Sequence, residues 1–199
     1  MNKKSILGRI IYLLTGHVAG YQIIKGMENY SNLTTTLYTI SFGILLLACL
    51  LLLLMGFEIM ENNYVAVVAA LIPITLSLGL VTDKLDSSTM YFILISASFL
   101  IAVALRLFSS GKIQSLSIGV IHFLSGSVIF FLPILLFFTD KAEIQILLVS
   151  LGGILIGSGG MLLGLVKAGK SVLAKEKVVA LFPIILFLTT TAFVVGLAG

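Results

Sequence analysis

Long apolar runs separated by short polar breaks make up almost the whole chain. A helix that crosses a membrane needs about 20 consecutive, mostly apolar residues. Six runs have this length, at residues 36–57, 63–82, 89–109, 116–138, 144–166 and 178–198. The breaks between them are too short to hold a folded soluble domain. The pattern therefore predicts an all-α integral membrane protein in which residues 1–199 form a single transmembrane domain.

Residues 7–25 form a seventh apolar stretch, but one that also contains Arg9, His17 and Gln22. Two interpretations are open at this point. The stretch is either a transmembrane helix, which gives a bundle of seven, or an amphipathic helix that lies on the membrane surface beside six spans.

The distribution of basic residues favours seven helices, because cytoplasmic loops of membrane proteins are enriched in lysine and arginine. If residues 7–25 span the membrane from a cytoplasmic N-terminus, Lys25, Lys84 and Lys141 are the basic residues outside the cell. The basic residues on the cytoplasmic side are then Lys3, Lys4, Arg9, Arg106, Lys112, Lys167, Lys170, Lys175 and Lys177. If the stretch does not span, the two sides share the basic residues equally. The bias predicts a cytoplasmic N-terminus and a C-terminus outside.

An internal repeat appears when the chain is shifted by 110 residues without gaps. Identical pairs under this shift include Gly16 and Gly126, Gly43 and Gly153, Ala70 and Ala180, Pro73 and Pro183, Ile74 and Ile184, and Leu78 and Leu188. The proline pair is the most informative, because the chain has only three prolines. The repeat predicts two parallel helix triplets, at about 7–82 and 116–198, joined by a linker helix at 89–109.

The composition agrees with a membrane protein and narrows the partners. Hydrophobic residues are 59% of the chain and charged residues 10%, whereas soluble domains carry about 25% charged residues. The net charge of +4 comes from basic residues in the polar breaks, so it does not indicate a nucleic-acid partner. The expected partners are the lipid bilayer and either other membrane subunits or further copies of the chain. The short loops suit a prokaryotic plasma membrane.

Two known groups of membrane proteins share features with this pattern. The order of three helices, one linker and three parallel helices resembles that of the SWEET sugar transporters. The segments SIGVIHFLSGSVIFFLP and LLVSLGGILIGSGGMLLGLV are similar to those of small HdeD-like stress-associated membrane proteins. The first resemblance implies transport, and the second implies a stress-associated membrane protein.

Polar residues within the apolar runs are candidates for a solute path or a gate, because polar groups are costly in a membrane. Prolines also free backbone carbonyls in their helices. The candidates are His17, Pro73, Thr75, Ser77, Pro183, Thr189, Thr190 and Thr191. The same hydroxyl groups can instead bond neighbouring helices together. A solute path would turn them toward one shared cavity.

Glycines spaced four apart are candidates for close helix packing or for a face that binds a partner. They are Gly16 and Gly20 in the first stretch, and Gly153, Gly157, Gly160 and Gly164 in the run at 144–166. A subunit of an assembly would turn the glycines of this run outward.

No catalytic constellation is recognisable in the sequence. It contains no pair of carboxylates within the apolar runs, no metal-ligand spacing and no phosphate-binding loop. We therefore expect no enzyme activity, no cofactor and no metal. The leading hypothesis is a non-catalytic component of a membrane complex. The alternatives are a small transporter or channel for a neutral or weakly polar solute, and an HdeD-like stress-associated protein.

Overall fold

The computed structural model describes residues 3–26, 30–85, 88–167 and 174–198, and these ranges are helical apart from short connections. The α-helices are α1 (Lys3–Lys25), α2 (Asn32–Met55), α3 (Asn63–Lys84), α4 (Ser88–Phe108), α5 (Gly111–Phe138), α6 (Leu147–Lys167) and α7 (Lys175–Gly196). Two short 3-10 helices, Phe57–Glu61 and Ile144–Ile146, precede α3 and α6. The helices α2 to α7 are each long and apolar enough to cross a membrane. The predicted all-α membrane bundle is confirmed.

Local side-chain and backbone chemistry sets several of the helix ends. The hydroxyl oxygen of Ser31 accepts a hydrogen bond from the backbone N–H of Thr34 at 3.2 Å and so caps α2. Asn62 caps α3 in the same way, because its side-chain oxygen accepts from the backbone N–H of Tyr64 at 2.9 Å. Gly56 ends α2 with a φ of 79°, a left-handed conformation that favours glycine.

The first helix, α1, packs lengthwise along the bundle. A Cβ atom at Gly8 would lie 3.5 Å from Pro183 of α7. At the other end, the Tyr30 hydroxyl, just beyond α1, donates a hydrogen bond to the Leu197 carbonyl oxygen at 3.1 Å. Midway along α1, a Cβ at Gly16 would lie 3.2 Å from Leu46 of α2. Contacts with two neighbouring helices are expected of a helix inside the bundle and not of one lying across its surface. The packing favours seven spans, although α1 is not among the helices that meet the length and composition of a span.

The seven helices form a closed ring of six, with α4 outside it. Following direct packing contacts, the ring runs α1, α2, α3, α5, α6, α7 and back to α1. The remaining helix, α4, packs against α3 and α5 at the junction between the two triplets. Exchanging α1–α3 with α5–α7 leaves this order of neighbours unchanged, as a repeat of two triplets requires. The repeat itself stays a prediction.

Two apolar clusters fill the bundle. The larger lies within the ring and draws buried side chains from all six ring helices, among them Tyr12, Tyr38, Leu76, Ile129, Val149 and Phe193. The smaller joins α4 to the ring. It contains Leu37, Ala70, Ile74, Leu78, Ile95, Ala102, Ile118 and Ile121. The interior of the ring is thus packed with large apolar side chains.

The helices run between two ends of the bundle, which we name after Tyr30 and Arg106, and α1 runs parallel to α7. The Tyr30 end holds Tyr30, Lys84 and Leu197, and the Arg106 end holds the last residues of α2, α4 and α6. If α1 spans the membrane with its N-terminus in the cytoplasm, the Arg106 end faces the cytoplasm and the C-terminus lies outside.

A topology measurement tests this orientation. A reporter fused after Gly199 that is active only outside the cytoplasm is expected to be active, because seven spans place the two termini on opposite sides. The matched control is the same reporter fused in the connection after α4, where it is expected to be silent. A second reporter, active only in the cytoplasm, is fused at the same position. Its activity after Gly199 would contradict the seven-span prediction.

Candidate functional site

The predicted hydroxyl groups of α3 bond to backbone carbonyls. Thr75 donates to the Leu71 carbonyl oxygen at 2.8 Å, and Ser77 donates to that of Ile74 at 2.9 Å. Both side chains are buried. Ser77 also accepts a hydrogen bond at 2.8 Å from the hydroxyl of Tyr91, which ties α4 to α3. Ser77 therefore links two helices, whereas Thr75 bonds within its own helix.

The hydroxyl groups of α7 behave in a similar way. Thr190 and Thr191 donate to carbonyl oxygens one turn earlier in their own helix, at 2.8 and 2.9 Å. Thr189 faces α6 and donates to the Gly152 carbonyl oxygen at 3.4 Å. The hydroxyls of α3 thus bond within α3 or to α4, and those of α7 within α7 or to α6. Their role in a solute path stays a prediction.

An open groove lies elsewhere, between α3, α4 and α5. It has a volume of about 680 Å³ and opens sideways near the Tyr30 end. Its lining is nearly all apolar and consists of Val81, Leu85, Tyr91, Ser127, Val128, Phe131, Leu132, Ile134, Leu135 and Phe138. None of the predicted path residues lines this groove.

The two paired prolines have different surroundings. Pro183 is buried on α7 against Gly8 of α1. Pro73 is half-buried, and the Ile72 carbonyl oxygen beside it accepts a hydrogen bond from Ser41 of α2 at 3.0 Å. The carbonyl next to Pro73 is thus bonded across the helix interface. Ser41 has no motif around it, so it could not be selected from the sequence alone.

His17 lies on the outer face of α1. Its side chain is exposed, and its Nδ1 atom forms a 2.9 Å hydrogen bond with the Leu13 carbonyl oxygen of the same helix. The structure therefore places this imidazole away from the ring interior and apart from the other predicted path residues.

The predicted glycines divide between packing and exposed positions. A Cβ at Gly16 would lie 3.2 Å from Leu46 of α2, and one at Gly153 would lie 3.2 Å from Ile129 of α5. Gly20, Gly157 and Gly160 have no atom within 4 Å of such a Cβ, and the last two are exposed on α6. Gly164 lies in α6, but its surroundings fall outside what the structure describes.

The tightest glycine contacts lie at positions that the sequence did not single out. A Cβ at Gly79 of α3 would lie 2.4 Å from the Tyr38 ring of α2. A Cβ at Gly152 of α6 would lie 2.6 Å from the Phe193 ring of α7. Both pairs join the second and third helices of a triplet. Neither glycine begins or ends a GxxxG pair, which is why the spacing did not reveal it.

A polar cluster that was not predicted occupies the Tyr30 end. The Lys84 ammonium lies 2.8 Å from Asp83 Oδ2 and 5.9 Å from the centre of the Tyr30 ring. The Tyr30 and Tyr38 rings meet edge to face with their centres 5.5 Å apart. Because Tyr30 also bonds to Leu197, this cluster connects the start of α2 with the ends of α3 and α7.

Burial, together with the nearby Asp83 carboxylate, raises the pKa of the Tyr30 hydroxyl to about 12. The folded protein therefore favours the neutral phenol more than the unfolded chain does. The stability that this provides is complete below pH 10, the ordinary pKa of tyrosine, and is lost as the pH rises through 12.

A pH series measures this contribution. We expect thermal unfolding followed by circular dichroism to show a steeper loss of stability between pH 10 and 12 in the native chain than in Tyr30→Phe. At pH 8 the variant is expected to lose about 0.5–1.5 kcal/mol, because the hydrogen bond to Leu197 is absent. Tyr64→Phe is the control, because Tyr64 is 71% exposed. Parallel pH profiles for Tyr30→Phe and the native chain would contradict the assignment.

The Arg106 end has a reciprocal hydrogen-bond pair. The Arg106 guanidinium donates to the Gln114 carbonyl oxygen at 3.0 Å, and the Gln114 amide donates to the Arg106 carbonyl oxygen at 3.1 Å. This pair fixes the end of α4 to the start of α5. Arg106 therefore has a structural role in the connection from the linker helix to the second triplet.

Within the described ranges, histidine, cysteine and acidic side chains do not gather in groups of three that would hold a metal ion. The polar groups whose contacts are described mostly bond to backbone carbonyls or to one another. The arrangement is suited to holding helices together at defined positions.

No protein-family model matches the chain, and no significant similarity was found to any curated protein or solved structure. The comparisons therefore add no support to the resemblances to SWEET transporters or to HdeD-like proteins. A functional conclusion has to rest on the surfaces and interior of this molecule.

Proposed function

We propose that the chain is a non-catalytic component of a membrane complex and that it binds a partner through α6. The observation that carries the proposal is an outward face of small residues on this helix. Gly157, Ser158 and Gly160 are all exposed, and neither glycine has a neighbour near the position of a Cβ.

Small residues on an exposed membrane helix favour association with another helix. Hydrocarbon chains solvate large apolar side chains well, so helices in a membrane gain little from burying them. Close backbone approach, which glycine and serine permit, increases van der Waals contact between helices instead. Large exposed side chains flank the small residues, among them Ile154 at 52% and Met161 at 68% exposure.

The interior supports the same proposal. The hydroxyls of α3 and α7 are bonded to carbonyl oxygens, and the ring is filled by large apolar side chains. A protein that forms part of an assembly needs a firmly packed body and a surface for its partner, without a polar path through its centre.

Purification in mild detergent through an N-terminal tag tests the proposal. We expect mass spectrometry to find a partner in stoichiometric amounts and to find it lost from Gly157→Leu and Gly160→Leu. Gly119→Leu is the control, because Gly119 is also exposed and free of neighbours but lies on α5. A partner that is retained by both α6 variants, or lost equally from the control, would contradict the proposed face.

One observation favours a second candidate function, a small transporter for a neutral or weakly polar solute. The closed ring, whose order of neighbours is unchanged when the triplets are exchanged, is the kind of arrangement in which two halves can rock against each other. Solute flux into liposomes that contain the purified chain would support transport. Flux should then fall in Pro73→Ala and Pro183→Ala.

A further inference from the structure

Two equivalent stripes of residues have opposite exposure. On α3, Ala70, Ile74 and Leu78 are buried, with exposed fractions of 0%, 4% and 4%. The 110-residue shift places the same three residue types on α7. These are Ala180, which is exposed, Ile184 at 41% and Leu188 at 47%. Residues four apart lie on one face of a helix, so each set forms a continuous apolar stripe. We call the set on α7 the bare stripe.

The difference between the stripes has an identifiable cause. The helix α3 packs against α2 and α5, and α7 packs against α6 and α1, so their ring neighbours correspond. What α3 has in addition is α4, whose Ile95 and Ala102 pack with the α3 stripe in one apolar cluster. The same cluster holds Leu37 of α2 and Ile118 and Ile121 of α5, the ring neighbours of α3. Because α7 has corresponding ring neighbours and yet a bare stripe, the additional cover on α3 comes from α4, a helix that runs antiparallel to it.

The chain also provides a second helical face suited to this contact. The outer side of α4 carries apolar residues at alternating spacings of three and four, a spacing typical of packed helices. They are Met90, Ile93, Ala97, Leu100 and Ala104, all exposed. The two alanines are seven residues apart and allow close approach. We call these five residues the outer face of α4.

Orientation and depth agree with this contact. Because α4 runs antiparallel to α3 and α7, the α4 of a second copy inserted the same way also runs antiparallel to α7. Ala97 lies nine residues from the start of α4 at the Tyr30 end, and Ile184 lies twelve residues before the end of α7 there. At 1.5 Å per residue, the two positions differ in depth by about 5 Å, less than one helical turn.

We propose that the outer face of α4 in one copy packs on the bare stripe of a second copy. The contact is heterologous, because each copy offers two different surfaces, so it generates a ring of copies or an open row in the membrane plane. The inference goes beyond the proposed function, because it concerns α4 and α7 and assigns the partner as the chain itself.

Disulfide cross-linking in membranes tests the contact. Two differently tagged forms are co-expressed in a Cys49→Ala background, one with Ala97→Cys and the other with Ile184→Cys. We expect a cross-linked dimer that carries both tags. The control pairs Ala97→Cys with Ile154→Cys, which is 52% exposed at a similar depth on α6. A yield about tenfold above the control, equivalent to about 1.4 kcal/mol in association, is expected. Equal yields would overturn the proposal.

A second measurement separates loss of contact from loss of folding. The double variant Ala97→Trp, Ala104→Trp is expected to shift the native mass from oligomer to monomer while its thermal unfolding stays unchanged, because both side chains are exposed. An unchanged oligomer mass in this variant would overturn the proposal. A native mass of the unmodified chain equal to one copy with bound lipid would also overturn it. Cross-linking of Ile184→Cys to a different protein would also overturn it. Gly157→Leu, which tests the α6 face, is expected to leave the cross-link intact.

Discussion

Replacing Gly79 with alanine is expected to lower the free energy of unfolding by about 1–3 kcal/mol, the usual cost of forcing extra atoms into a packed core. The new Cβ would lie 2.4, 2.7 and 2.9 Å from three carbon atoms of the Tyr38 ring. That ring is only 1% exposed and also packs edge to face against Tyr30. Because the ring has little room to move, α2 and α3 must separate.

The single cysteine of the chain provides the measurement. Cys49 is buried on α2, so a fluorogenic maleimide labels it only after unfolding. Gly79→Ala should give labelling at a clearly lower temperature than the native chain. Gly43→Ala on α2 is the matched control, since no atom lies within 4 Å of its Cβ position. Alanine favours helices over glycine by about 1 kcal/mol, so the control should unfold at the same or a higher temperature. Equal unfolding temperatures for both variants would contradict the packing at Gly79.

Replacing Gly152 with alanine, in the second triplet, is expected to lower the free energy of unfolding as much as Gly79→Ala does. Its Cβ would lie 2.6 Å from the Phe193 ring and 3.2 Å from the Thr189 carbonyl oxygen. The backbone oxygen cannot rotate away as a side chain can, so α6 and α7 must move apart. That movement also lengthens the hydrogen bond from Thr189 to the Gly152 carbonyl oxygen. We expect a loss of about 1–3 kcal/mol.

Gly157→Ala is the control on the same helix. Gly157 is exposed and has no neighbour within 4 Å of a Cβ, so labelling of Cys49 should begin at or above the native temperature. If Gly152→Ala and Gly157→Ala unfolded together, the close approach of α6 and α7 would be wrong. A lower unfolding temperature in Gly152→Ala alone is the expected result.

The positions of the helices were largely predictable, because a membrane helix requires a long apolar run and the runs have clear ends. Two of the deviations lie where polar residues extend a helix beyond the apolar part, whereas the run at 144–166 begins with the 3-10 helix Ile144–Ile146 and α6 starts only at Leu147. The run at 36–57 predicts a later start than the observed Asn32, because the Ser31 cap begins α2 within a polar segment. The run at 116–138 likewise misses the first turn of α5, which starts at Gly111.

The close contacts were not predictable from spacing. The GxxxG pairs in α6 select Gly153 and Gly157, whereas the tightest contact falls on Gly152, one residue earlier and 100° around the helix. Glycine spacing identifies a helix that can pack closely but does not indicate which neighbour it meets. The order of neighbours in the ring determines that, and it also decides which hydroxyls reach a carbonyl of another helix, as Ser41 does.

Because α4 lies outside the ring, the ring does not depend on a continuous chain between α4 and α5. The ring closes through α1 with α7 and α3 with α5, and neither contact involves α4. A chain divided between α4 and α5 would give a four-helix and a three-helix fragment. Both fragments would begin at the Arg106 end, so two separately translated polypeptides could insert into the membrane in the same direction. The two interfaces would remain available to rejoin them, so the protein is suited to expression as complementing halves.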